Sequence, residues 1–197
     1  MTGCQRSTAW MIAGGRVAVY TVPWLHVVAN QGALPVDLLL PVTGRTYVAR
    51  LDGREMRDTD AVFQQFYDGL RLPDYFGWNW NALSDCLRDL KWLSSDHWVL
   101  IVEAADEALS GDPSEQRLLF NTLLRAGQRW SYTQRPEGIE LGRLVVVMSC
   151  DAPSVPSLQG LLQSCLEETA SSEGLISRTR GGCRTWSPAC RFIHAPT

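Results

Sequence analysis

The sequence predicts an α/β fold: a small parallel sheet with helices packed against it. Three observations carry this. Two nearly continuous apolar runs, 97–102 (HWVLIV) and 144–148 (LVVVM), have the length and β-branched content of strands buried on both faces. Before and between them, apolar residues recur at helical spacing. Strands that alternate with helices make crossover units, and crossover units build parallel sheets.

In chain order, residues 1–45 are weakly patterned. The stretch 16–22 (RVAVYTV) alternates as a strand does, and 24–28 (WLHVV) reads as another strand after Pro23. Residues 30–44 hold two prolines and two glycines and read as a connecting loop with a short apolar turn. The apolar content is too high for a linker. Residues 1–45 read as an N-terminal extension, either an extra strand pair covering the domain or a partly disordered segment, and the apolar content favours the strand pair.

Residues 46–150 carry the domain. Tyr47, Ala49 and Leu51 alternate with Val48 and Arg50, and Asp52-Gly53 closes this first strand with a turn signal. Asp58 or Thr59 can cap a helix with Val62, Phe63, Phe66, Tyr67 and Leu70 on its apolar face. The stretch 72–87 (LPDYFGWNWNALSDCL) opens with the breaker Pro73 and sets Tyr75, Phe76, Trp78 and Trp80 around Gly77. From Asn79 it turns helical, ending near Lys91. Trp80, Leu83, Cys86, Leu87 and Leu90 fall on one side, while Asn81, Ser84, Asp85 and Arg88 fall on the other. An aromatic loop thus feeds an amphipathic helix whose polar face carries Asn81 and Asp85 one turn apart.

After the strand at 97–102, residues 103–109 are expected to form a short helix stopped by Gly111. Ser114 can cap a long helix running to Arg129 or Trp130, with Leu118, Leu119, Thr122, Leu123 and Ala126 inward. Residues 131–142 form a polar loop before the last strand. From 151 the β-branched runs give way to serine and proline, and one short helix is expected at 158–166. Residues 151–197 read as a largely irregular tail that the fold does not need.

Charge narrows the choice of partner. The net charge is −3, yet residues 46–110 alone carry twelve acidic against six basic residues. An acidic surface disfavours direct nucleic-acid binding, which needs cations against phosphate, and favours a basic protein. Trp78 and Trp80 could stack bases, but no Lys or Arg lies between Arg71 and Arg88 to hold a backbone. Six cysteines show no regular spacing; Cys86 on an apolar helix face and Cys150 at the end of an apolar run read as reduced core residues. The apolar stretch 10–22 is broken by Gly14, Gly15 and Arg16, so no secretory signal is expected. No run approaches about 18 uncharged apolar residues, so no membrane span is expected. The chain is expected to be soluble and cytoplasmic.

Catalytic and metal chemistry find little support. There is no GxSxG, HExxH or glycine-rich phosphate loop, and the histidines number three, at 26, 97 and 194. Cys86 and His97 are the nearest approach to a nucleophile–base pair, but one lies on a core helix face and the other opens a buried strand. Cys183, Cys190 and His194, with Cys165 as a fourth ligand, lack the closely paired cysteines of structural zinc sites. No enzyme activity, metal or cofactor is expected.

Within 73–87, Pro73, Tyr75, Gly77, Asn79, Ala82, Leu83, Asp85, Cys86 and Leu87 form a spaced signature, with Asp74 and Phe76 replacing close chemical relatives. This signature resembles that of the barstar family, small inhibitors of secreted ribonucleases. Residues 47–70 match the family's opening strand, turn and helix more loosely, and the resemblance covers roughly 46–150, about half of the chain. It implies a three-stranded parallel sheet flanked by helices and no cofactor. It also implies a bacterial immunity protein that blocks a nuclease active site with an acidic helix and aromatic loop. Asp85 matches the family's inhibitory aspartate, which enters the nuclease's phosphate-binding site, and Tyr75 matches an interface tyrosine. The partner-binding residues expected on this basis are Tyr75, Phe76, Gly77, Trp78, Asn79, Asn81, Ser84 and Asp85. The partner would be a basic secreted ribonuclease or nuclease toxin, held by a monomer in a 1:1 complex. Three positions depart from the pattern: Asn81 replaces a frequent second acid, Ser84 an aromatic, and Arg125 an acidic contact on the late helix. These departures favour an alternative, a non-inhibitory interaction module on the same fold with a different partner.

Overall fold

A computed structural model describes residues 11–12, 15–16, 24–30, 44–132 and 143–179. A short antiparallel pair, β1 (Met11–Ile12) and β2 (Gly15–Arg16), precedes the main sheet. The main sheet contains β3 (Leu25–Ala29), β4 (Thr46–Asp52), β5 (His97–Glu103) and β6 (Arg143–Cys150). Its order is β3-β6-β5-β4 and every pairing is parallel. The helices are α1 (Thr59–Leu70), α2 (Trp80–Asp89), α3 (Pro113–Tyr132) and α4 (Val155–Thr179).

The α/β class and parallel sheet expected from the sequence are present, with four strands in place of three. The extra strand is β3, which covers the expected strand at 24–28. It runs parallel to β6, with Leu25 opposite Val146 and Ala29 opposite Cys150. The expected strand at 16–22 lies outside the described residues except for Arg16, as does most of the loop at 30–44 and at 131–142.

The crossovers explain where the helices sit. From β4 to β5, through α1 and α2, the chain steps one strand across the sheet, and from β5 to β6, through α3, it steps on in the same direction. Right-handed crossovers that advance the same way place their helices on one face. The main core lies there: Leu51, Leu100, Val102, Val146 and Met148 of the sheet meet Phe63 and Phe66, Leu83 and Leu87, and Phe120 and Leu123. Alternation sends Val28, Val99, Ile101, Val145 and Val147 to the other face, where they form a second buried cluster. Among the described residues, no helix contributes to it.

Asp58 caps α1, accepting the Ala61 N–H at 2.8 Å. At α3 the cap is Asp112 and not Ser114, with Pro113 in the first helical position where a missing N–H costs nothing. The Ser114 hydroxyl, then the Glu115 N–H, hold the Asp112 carboxyl below the usual carboxylate range. The inward face of α3 is Leu119, Phe120, Leu123, Leu124 and Ala126; Leu118, expected inward, is 40% exposed. A Cβ at Gly127 would lie 2.4 Å from Trp24 Cε3, so the bare backbone there admits the Trp24 ring and locks the start of β3 to α3.

Two further expectations are corrected. Residues 104–111 form successive turns and not a helix. Their backbone is held from outside, with the Leu109 N–H donating to the Met56 carbonyl at 2.8 Å. The C-terminal helix is not short: α4 spans 25 residues, and Val155, Leu158, Leu162 and Cys165 are buried in the main core. These four positions repeat at helical spacing, so the apolar stripe begins a turn before the expected start at 158. Arg117 of α3 pairs with Glu168 of α4 and fixes the two helices side by side. The core therefore does not stop at Cys150 but continues into α4, while the rest of the expected tail, 180–197, lies outside the described residues.

Candidate functional site

The loop between α1 and α2 is built from local constraints. α1 ends with Arg71 in the left-handed region (φ 48°), and the Leu72 N–H then reaches back to the Tyr67 carbonyl at 3.0 Å. The Phe76 N–H donates to the Pro73 carbonyl at 2.8 Å and closes a turn. Trp78 is left-handed too (φ 49°), and this reverses the chain into α2. Asn79 then holds both sides of the reversal. Its Oδ1 accepts the Ala82 N–H at 2.9 Å and caps the helix, while its Nδ2 donates to the Gly77 carbonyl at 2.8 Å. A Cβ at Gly77 would lie 3.1 Å from that Nδ2, so the clamp is tight around glycine.

Aromatic rings anchor the loop to the body. Phe76 is 3% exposed, edge-on to Phe63 with ring centroids 6.0 Å apart. Trp80 packs edge-on to Phe63 at 5.1 Å and donates its indole N–H to Glu115 at 2.8 Å. The same Glu115 oxygen accepts the Thr59 hydroxyl at 3.1 Å, so α1, α2 and the start of α3 meet at one carboxylate. Trp130 donates to the Leu87 carbonyl and Trp92 to the Leu70 carbonyl, each at 2.9 Å, satisfying groups in the last turns of α2 and α1.

Outward, the loop and α2 present Tyr75, 76% exposed, with Gly77, Trp78, Asn79, Asn81 and Asp85; Ser84 is half-buried. Phe76 is a correction: its ring fills the core beneath the loop and supports the surface without lying on it. Asn79 is exposed but its amide is spent on the cap. The Asp85 side chain is 74% exposed, and the Arg88 guanidinium donates to it at 3.2 Å. One turn on, Lys91 pairs with Asp89 at 2.8 Å. The two pairs leave the outer face of α2 close to neutral. Their spacing was visible in the sequence as charges three and two residues apart. Tyr67 was not foreseen here; it stacks on Trp78 at 5.1 Å and 25°, while its hydroxyl donates to Asp74 at 3.4 Å. Arg125 is exposed on α3.

The surface offers no reactive pair. Cys86 faces inward, and burial, with Asp85 and Asp89 nearby, pushes its thiol up. His97 shares the strand face of Val99 and Ile101, so the sheet separates it from Cys86. Among the described residues no group of three His, Cys, Asp or Glu could hold a metal ion, and no helix is long and apolar enough to cross a membrane. Cys183, Cys190 and His194 lie outside the described residues; Cys165 is buried in α4.

No curated protein matches the chain. A family model described as Barstar (barnase inhibitor) matches residues 46–142, the stretch that holds β4, β5, α1 to α3 and the aromatic loop. With the parallel sheet, the asparagine-capped helix and the exposed aspartate on it, this match assigns the chain to the barstar family.

Proposed function

We propose that the chain is an intracellular inhibitor, an immunity protein, of a basic secreted ribonuclease or nuclease toxin. It would block the nuclease active site with α2 and the aromatic loop, as a monomer in a 1:1 complex. The observation that carries this is Asp85: an aspartate at the family's inhibitory position, on the outer face of a helix, with its side chain 74% exposed. A carboxylate carried into a desolvated nuclease site accepts charge-assisted hydrogen bonds from the Arg, Lys or His groups that otherwise hold substrate phosphate. The acidic surplus of residues 46–110 supports long-range steering of a basic partner, for which the barnase–barstar pair is the reference case. Residence in the cytoplasm, protecting the producing cell, follows from that role.

A panel of basic secreted ribonucleases, barnase among them, tests the reading by inhibition of RNA cleavage. The expected result is stoichiometric inhibition of at least one enzyme. Asp85→Ala should weaken that complex by about 2 kcal/mol or more, the range of an interface hot spot, with little change in stability because the side chain faces solvent. A panel untouched by the protein would sink it.

One observation favours a second reading, a non-inhibitory interaction module. The Asp85–Arg88 and Asp89–Lys91 pairs leave the outer face of α2 nearly neutral where active-site mimicry calls for negative charge. Asn81 and Arg125 add to this. The same panel separates the two readings.

A further inference from the structure

The most exposed aromatic surface of the described residues lies on the loop and not on α2. Tyr75 is 76% exposed and Trp78 47% exposed, the two largest such aromatics. Trp78 is presented and not merely left out. Tyr67 stacks on it, Phe76 backs it at 5.4 Å, and its left-handed backbone turns the indole outward from the helix start. An aromatic held rigid on a packed base while nearly half its surface meets water has the form of an interface anchor.

The charge around it differs from that on α2. Tyr67 belongs to α1, and beside it α1 exposes Asp60, Gln64 and Asp68 at successive four-residue steps, a single stripe along the helix. Asp74 lies on the other side, receiving the Tyr67 hydroxyl. Gln64 donates to Asp68 at 2.8 Å, yet among the described residues no cation pairs with Asp60, Asp68 or Asp74. On α2, by contrast, both carboxylates carry their own cation. Asp68 and Asp74 thus flank the Tyr67–Trp78 stack without an ion pair, with Asp60 two turns earlier on α1 and Arg71, at the end of α1, the nearest cation to them in the chain.

We propose that the docking surface extends from the aromatic loop onto α1, with Trp78 as its anchor and Asp60, Asp68 and Asp74 as its anionic border. Its occupant is a basic protein surface that lays an arginine guanidinium on the Trp78 indole. Guanidinium is the cation that both stacks on an indole and forks to carboxylates beside it. Because Ser84 supplies no aromatic on α2, Trp78 takes over that part of the contact and shifts the centre of the interface by about one element. This rests on the chain docking on a basic protein, the reading given above, but it locates the contact independently of Asp85.

Octa-arginine, a minimal basic partner, serves as the probe for the whole chain, with binding followed by calorimetry and by amide chemical shifts. The expected result is saturable binding with shifts confined to 60–78. Trp78→Asn, which keeps the left-handed backbone comfortable, should weaken it at least fivefold, and Asp60→Asn with Asp68→Asn at least tenfold. Asp151→Asn, an exposed acid after β6 and outside this surface, should change it less than twofold. Absence of binding, or binding lost with Asp151→Asn and kept with Trp78→Asn, overturns the proposal. Since the probe contains no nuclease, that outcome leaves the inhibition assay to judge the ribonuclease reading by itself; inhibition lost while octa-arginine still binds at Trp78 would fault that reading alone. Each variant is compared at unchanged melting temperature, and if Trp78→Asn melts lower, the two aspartate variants, both fully outward, decide.

Discussion

Arg88 is the residue that most alters the meaning of its neighbours. Its guanidinium sits on Asp85 at 3.2 Å, so the carboxylate we propose for the partner is already engaged within the chain. An exposed pair of this kind is worth about 0.2–1 kcal/mol. Breaking it on docking subtracts that amount from affinity, and Arg88 also repels a basic partner at close range. Arg88→Ala is thus expected to tighten the complex with an inhibited ribonuclease by roughly 1.4- to fivefold, the factor that energy converts to. Unchanged or weaker binding, read from dissociation constants of the two proteins, would mean that Arg88 itself contacts the partner. The exposure of Asp85 was legible in the sequence from the helical period. Phe76 was not: four aromatics within six residues give no period, and only the packed structure shows which ring turns inward to Phe63. Nor was Tyr67, whose stacking on Trp78 depends on a left-handed turn that no residue type there announces.

Among the elements, α4 carries the clearest consequence. Val155, Leu158, Leu162 and Cys165 are buried in the main core, and each buried aliphatic of Val or Leu size contributes about 1.5–3 kcal/mol. A domain's whole margin is about 5–15 kcal/mol. A chain ending at Cys150 should therefore lose cooperative melting or melt far lower than the full protein. Scanning calorimetry on both decides it, and an unchanged melting temperature would show the helix to be dispensable. β4, β5 and β6 were legible as apolar runs, and α1, α2 and α3 as periodic faces, because each signal is local. β3 was legible as a strand but not as an edge of the main sheet, since its partner β6 lies at the far end of the domain and pairing leaves no mark on either segment. The length of α4 was hidden for another reason: beyond 166 the sequence offers helix-compatible residues without an apolar stripe to mark them.

For the whole molecule, the acidic surplus predicts a kinetic signature. Long-range attraction between an acidic surface and a basic nuclease is screened over about 10 Å at 0.1 M salt. Association should slow markedly from low to physiological ionic strength, while dissociation changes much less. Stopped-flow measurements across a salt series test this, and an association rate indifferent to salt would point to apolar docking instead. The pairing of β3 with β6 has a consequence of another kind. On the ribosome, Leu25 emerges long before Val146, the residue it will pair with, about 120 positions later. At ordinary elongation rates that wait is on the order of ten seconds. Throughout it, a newborn apolar strand lacks the sheet partner it has among the described residues, although β4, α1, α2 and β5 can already gather around their own contacts. Closure of the sheet is thus reserved for the end of synthesis. Slower translation through α3 would prolong the interval in which β3 is open to chaperones, or to another nascent chain.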